Sequence, residues 1–150
     1  MSVVLLNNEC YCVMKLRGKE TMRIKMTGIY VKEVDKAHLF YTTVLNFTEV
    51  MYTPEANLAI VASPEEPSGT TLLLEPIDTS LAADYQKALY KARIPVIVFS
   101  VDNITEEYER LKKLKVEFLM GPVPQDFGFQ TIFDDTCGNL IALVELNSQK

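Results

Sequence analysis

Tryptophan is absent from the chain and histidine occurs once, as His38. A metal centre built on several imidazoles is therefore excluded, and a histidine-activated nucleophile would have one residue to draw on. Cysteine is scarce too: Cys10, Cys12 and Cys137 make an odd set with no framework spacing, which argues against a disulfide-stapled secreted domain and for a reducing, cytoplasmic setting. Basic residues are in the minority, 15 against 20 acidic ones, and the net charge of −5 lacks the attraction to phosphate on which nucleic-acid binders rely. No run approaches the ~20 apolar residues of a membrane span, and Val3 to Leu6 has no basic flank of the signal-peptide kind. Neither nucleic acid nor membrane is an expected partner. The 150 residues, 48% hydrophobic and 23% charged, have the composition of a globular protein with one ordinary core or two small modules sharing an interface.

Local patterns divide the chain further. Residues 1–21 carry weak periodicity and read as an appendage. Ile24 to Val31 alternates as a strand does, Asp35 is a candidate cap, and Ala37, Phe40, Tyr41 and Val44 recur at helical spacing. Strand-like runs follow at Glu49 to Thr53, Asn57 to Ala62 and Thr70 to Glu75, separated by turn formers. Leu81 to Arg93 has the apolar stripe of a connecting helix. The first pattern then returns: a strand at Pro95 to Val101, a cap at Asp102-Asn103, a helix marked by Ile104, Tyr108, Leu111 and Leu114, and strands at Glu117 to Met120, Phe127 to Phe133 and Leu140 to Leu146.

Both halves read βαβββ, and a constant offset of 70 relates them. Tyr30-Val31 matches Ser100-Val101, Tyr41 matches Leu111, Val44 matches Leu114, and Leu72 to Glu75 matches Ala142 to Glu145. That is the signature of a duplicated supersecondary unit. The predicted organisation is an α+β fold with an appendage (1–21), a first module (22–76), a connecting helix (77–94) and a second module (95–150). Two such sheets should create a concave surface between them.

The tandem βαβββ pattern, with Tyr30-Val31-Lys32-Glu33-Val34-Asp35-Lys36-Ala37 leading into Phe40 to Phe47 and the stretch Phe133-Asp134-Asp135-Thr136-Cys137-Gly138-Asn139-Leu140-Ile141, resembles the vicinal oxygen chelate superfamily. That group includes glyoxalase I, bleomycin-resistance proteins, fosfomycin-resistance enzymes and extradiol dioxygenases. The resemblance covers about Arg23 to Leu146 and implies a half-open barrel of eight strands, commonly assembled as a homodimer, with the site inside the curved sheets. In metal-dependent members four inward positions bind a divalent ion. Carried over residue by residue, they fall at Met26, Val96, Leu72 and Ala142, which offer no imidazole or carboxylate. The resemblance with these replacements implies no metal and no other cofactor.

The remaining polar residues carry no clear chemistry. His38 reads as a packing histidine on the first helix, Asp134 and Asp135 as turn-shaping carboxylates, and Cys137 as a thiol without an activating base. Cys10 and Cys12 fall short of a zinc site. Glu75 and Glu145 stand three residues past the former ligand positions, an odd step that turns each to the opposite face of its strand. The inward parity set is then Met26, Gly28 and Tyr30 in the first module with Leu72 and Leu74, and Val96, Val98 and Ser100 in the second with Ala142 and Val144. Phe129, with Phe127 and Phe133, either lines this cavity or fills it, and Pro122 to Asp126 reads as a gating loop. The expectation is a metal-free protein binding a small apolar or aromatic molecule, with no catalytic residue assigned. The alternatives left open are a metal-independent lyase or isomerase using Tyr30, Ser100 or a glutamate, and a structural dimer with a self-filled cavity.

Overall fold

In the computed structural model, which describes residues 21–147 and the backbone of 2–6 and 9–13, the chain opens on an antiparallel strand pair, β1 (Ser2–Leu6) and β2 (Glu9–Val13). The side chains of Cys10 and Cys12, and the character of the appendage beyond this pair, lie outside the described residues. The first module follows as β3 (Met26–Val31), α1 (Val34–Leu39), β4 (Thr48–Thr53), β5 (Leu58–Ala62) and β6 (Thr71–Pro76). After α2 (Ser80–Lys91) the second comprises β7 (Ile97–Ser100), α3 (Ile104–Lys113), β8 (Phe118–Gln125), β9 (Gly128–Asp134) and β10 (Leu140–Leu146). Each module forms a mixed four-stranded sheet, ordered β3-β6-β5-β4 and β7-β10-β9-β8, in which the first strand runs parallel to the last. No described helix is long and apolar enough to cross a membrane.

The helices form where amphipathic spacing and caps coincide. Val34, Ala37, Phe40 and Tyr41 are buried along one face of α1 and of the single π-type turn that prolongs it to Val44. The cap of α1 is Glu33, and Asp35 sits within the first turn, where its carboxylate accepts a hydrogen bond from the Tyr52 hydroxyl at 2.9 Å. Asn103 caps α3 by accepting from the Glu106 amide at 3.1 Å, and Glu145 Oε2 accepts from the Ile104 amide at 2.8 Å. Glu106 and Glu107 in its first turn and Arg110, Lys112 and Lys113 in its last suit the helix dipole.

The helix-side faces of both sheets share one core. Ile29, Val31, Leu72 and Leu74 from the first module belong with Leu111, Phe133, Ile141 and Leu143 from the second. Tyr41 and Phe47 meet Phe99 across the junction, with ring centroids 6.4 and 5.1 Å apart. Each fully buried aliphatic side chain here contributes roughly 1.5–3 kcal/mol, so the modules depend on each other for much of their burial.

One predicted loop is a strand. Pro122 to Gln125 continues β8, so it does not form a gate. The prolines are tolerated because β8 is an edge strand whose register to β9 shifts twice, between Phe118 and Met120 and between Met120 and Val123, leaving amide positions that need no partner.

Candidate functional site

Cross-strand partners share a face, so the registers fix which side chains point away from α1 and α3. In the second sheet Val98 lies opposite Ala142, Ser100 opposite Val144, and Val144 opposite Gln130. These residues form the open face, where Ala142 and Val144 are the nearly buried floor of a concavity of about 480 Å³. Val98, Phe127 and Leu146 wall it, and Gln130 is its polar side chain. Phe129 pairs with Glu145, the α3-capping residue, and so lies on the helix side, outside this concavity. Val96 occupies a bend before β7 and packs half-buried against the core.

The first sheet departs from the sequence reading by one residue. Gly28 pairs with Leu73, Ile29 with Leu74 and Tyr30 with Glu75. Met26, Gly28 and Tyr30 are on the open face as expected, but Leu72 and Leu74 are not: at 5% and 0% exposure they belong to the core. Relative to Gly28 and Val98, 70 apart, the partners Leu73 and Ala142 are only 69 apart. A slip of one residue exchanges the faces of a strand. Glu75 therefore shares the open face with Tyr30, and its carboxylate lies where a Cβ on Gly28 would stand, 2.6 Å from Oε1. Glu145 does face the helix side, so the two glutamates are not equivalent.

The register puts Leu73, in place of Leu72, at the open-face position in β6 where the resemblance implies a donor. Together with Met26, Val96 and Ala142 it offers a thioether and alkyl groups, which do not fit a divalent ion. Among the described residues no three His, Cys, Asp or Glu side chains converge. His38 stacks on Tyr52 with centroids 3.9 Å apart and its Nε2 lies 2.7 Å from Glu49 Oε2, away from the open faces.

A buried polar clip at the module junction was not legible from spacing. Asp135, fully buried, accepts from the Tyr41 hydroxyl at 3.1 Å, the Cys137 amide at 2.8 Å, and the Asn139 amide and Nδ2 at 2.9 and 2.8 Å. Gln86 of α2 closes it, donating to the Tyr30 carbonyl at 2.7 Å and to Asn139 Oδ1 at 3.1 Å. Gly138 has φ +104°, and a Cβ there would stand 2.6 Å from Gln86 Oε1, so only glycine fits under that amide. Asp134 accepts from the Thr136 amide at 2.6 Å and from the Tyr90 hydroxyl, which shows both aspartates shaping the turn. Burial pushes the Asp135 carboxyl up, opposed by its bonds from Asn139, Cys137 and Tyr41. Burial also raises the Tyr41 phenol well above its usual value, with the Asp135 charge adding to it.

Burial first, then the Asp135 charge, lifts the Cys137 thiol to about 12. Nucleophilic attack needs the thiolate, so the folded protein should leave this cysteine unmodified by iodoacetamide at about pH 8, whereas guanidinium should expose it. Mass mapping of the Cys137 peptide checks this; rapid labelling without denaturant would contradict the inert assignment.

With paired sheets, a shared helix-side core and two open faces in place, the chain can be set beside known proteins. YurT, an uncharacterized protein of Bacillus subtilis strain 168, is 38% identical over 126 residues, 83% of this chain and 99% of its own. The crystal structure of UcmS2 superposes with a TM-score of 0.71 at 29% identity, covering 84% of this chain and 99% of the other. TnmS3, an antibiotic binding protein from Streptomyces sp. CB03234, has the same fold with a TM-score of 0.68 at 20% identity, covering 86% and 99%. Residues 23–143, which span both modules and the connecting helix, match the Glyoxalase/Bleomycin resistance protein/Dioxygenase superfamily, and the chain belongs to it.

Proposed function

We propose that this protein binds a small, largely apolar or aromatic molecule on its open sheet face, without a metal or other cofactor, and works as a homodimer. The observation that carries this reading is the hydrocarbon concavity at Val98, Ala142 and Val144, whose floor includes Ala142, a position where the resemblance implies a donor in metal-dependent members. Exposed Val98, Phe127 and Leu146, at 59, 44 and 60%, form an apolar rim that a ligand and a second copy would cover. The antibiotic binding described for TnmS3 is consistent with such a role.

A second reading, a metal-independent lyase or isomerase, is favoured by one feature: Tyr30 and Glu75 stand side by side on the other open face, a phenol and a carboxylate able to handle a proton. Turnover lost in Tyr30→Phe with the fold intact would support it.

Binding is tested by a thermal-shift panel of aromatic, quinone-like, thiol-conjugate and antibiotic compounds. At least one should raise the melting point with concentration as mass action requires. Ala142→Phe, which projects a ring into the concavity, should abolish that rise while leaving the unliganded transition cooperative. A shift unchanged by Ala142→Phe, or a stoichiometric divalent ion held after dialysis, would overturn the reading. Light scattering should give twice the mass of one chain.

A further inference from the structure

Duplication gives each contact at the module junction a counterpart, and the two sides are built differently. On one side the Tyr41 ring occupies the space between modules and its hydroxyl reaches Asp135. On the other, the offset of 70 places Leu111 where Tyr41 would be, and the strand registers place Ser63, the first residue after β5, where Asp135 follows β9. The Lys32 amide is bonded to the Cys137 carbonyl at 3.1 Å, but among the described residues no hydrogen bond joins its counterpart Asp102 to the 63–69 loop. A cavity of about 260 Å³ remains at this second junction.

Its floor is Phe47, Phe99, Leu111, Phe133 and Leu143, and its mouth carries Glu65, Asp102 and Glu107. Arg110 engages Glu107 through two hydrogen bonds of 2.6 and 2.7 Å. Glu65 and Asp102 have no ion-pair partner among the described residues, and no lysine or arginine lines the cavity. The aromatic floor accepts a ring by stacking or edge contact, and carboxylates at the edge of an apolar cavity hold a cation more firmly than they would in bulk water. The same carboxylates repel an anion. The volume suits a single ring with a short chain, given that a cavity of about 150 Å³ accepts benzene.

We infer that this second junction is a binding site for a small arylalkyl ammonium ion, separate from the open-face concavity, with which it shares no lining residue. The aromatic part lies on the floor and the ammonium group lies at the mouth beside Asp102 and Glu65.

The test is a titration of the intact, methyl-labelled chain with 2-phenylethylamine, followed by NMR, with 2-phenylethanol and phenylacetate as neutral and anionic isosteres. Saturable shifts are expected at the Leu111 and Leu143 methyls, with the amine binding about tenfold tighter than the alcohol and phenylacetate weaker than both. Glu65→Gln combined with Asp102→Asn should reduce the amine to the level of the alcohol. Leu111→Phe should close the cavity and abolish the shifts; Ser63→Phe, at the exposed rim, does the same if that core variant fails to fold. Shifts confined to Val98, Ala142 and Val144, absence of saturation, or phenylacetate binding as well as the amine would overturn the assignment. Failure of the open-face reading would leave these shifts unchanged.

Discussion

Asp135→Ala lowers the unfolding free energy by about 3–5 kcal/mol. The carboxylate accepts four hydrogen bonds from three residues; the Tyr41 hydroxyl and the Cys137 and Asn139 amides lose their acceptor in a place water cannot reach, while Asn139 Nδ2 keeps the Tyr30 carbonyl. A stranded buried donor costs about 1–3 kcal/mol, and partial relaxation of the turn brings the sum below full additivity. Urea melts followed by circular dichroism measure the loss. Asp135→Asn keeps one carbonyl oxygen and should fall between alanine and the native residue. Tyr41→Phe removes one bond and leaves the ring's packing, so it should cost about 1 kcal/mol. A loss below about 1 kcal/mol for Asp135→Ala would mean that the clip is ornamental.

Raising the pH should destabilise the protein progressively from about pH 9 upward. Tyr41 and Cys137 both hold their protons more tightly when folded than when unfolded. Stability from such a group is fully present below its unfolded pKa and is lost as pH rises toward its folded one. For Cys137 that window runs from 9.0 to about 12. For Tyr41 it opens at 10.0 and extends well above. While the fully buried Tyr41 is protonated only in the folded state, stability falls by about 1.4 kcal/mol per pH unit. Denaturant midpoints between pH 8 and 11.5, roughly the range of the two windows, should drop progressively. Cys137→Ala should delay the onset, and Tyr41→Phe should flatten the steeper part. Midpoints constant to pH 11, about one unit past the ordinary phenol value, would show that both groups titrate through openings short of unfolding.

The duplicated α+β architecture was readable because hydrophobic period, turn residues and repeat offset agreed over most of the chain. Val98, Ala142 and Val144 lie on the face that parity gave them. Leu72 and Leu74 do not, because the repeat contains a one-residue length difference that matching similar residues conceals: Leu72 aligns with Ala142 by offset, yet it packs as Ile141 does. Phe129 was drawn toward the cavity by its alternation with Phe127, although Phe127 precedes the strand and Gly128 turns the chain between them with φ +142°. The clip left even less trace. Gln86 sits within an apolar stripe and Asn139 within an ordinary turn, and their meeting is a consequence of how the connecting helix lies on the second module. A buried amide on an otherwise apolar helix face, combined with Gly138 in the turn, was the available sign.

A tandem duplication begins with two interchangeable walls. The first module is one residue longer than the second between its first and last strands, and this places Glu75 where the other has Val144. Divergence of the two halves could thus proceed by rotation of an existing strand, and it leaves an ionisable wall and a hydrocarbon wall that a molecule with unlike ends can tell apart.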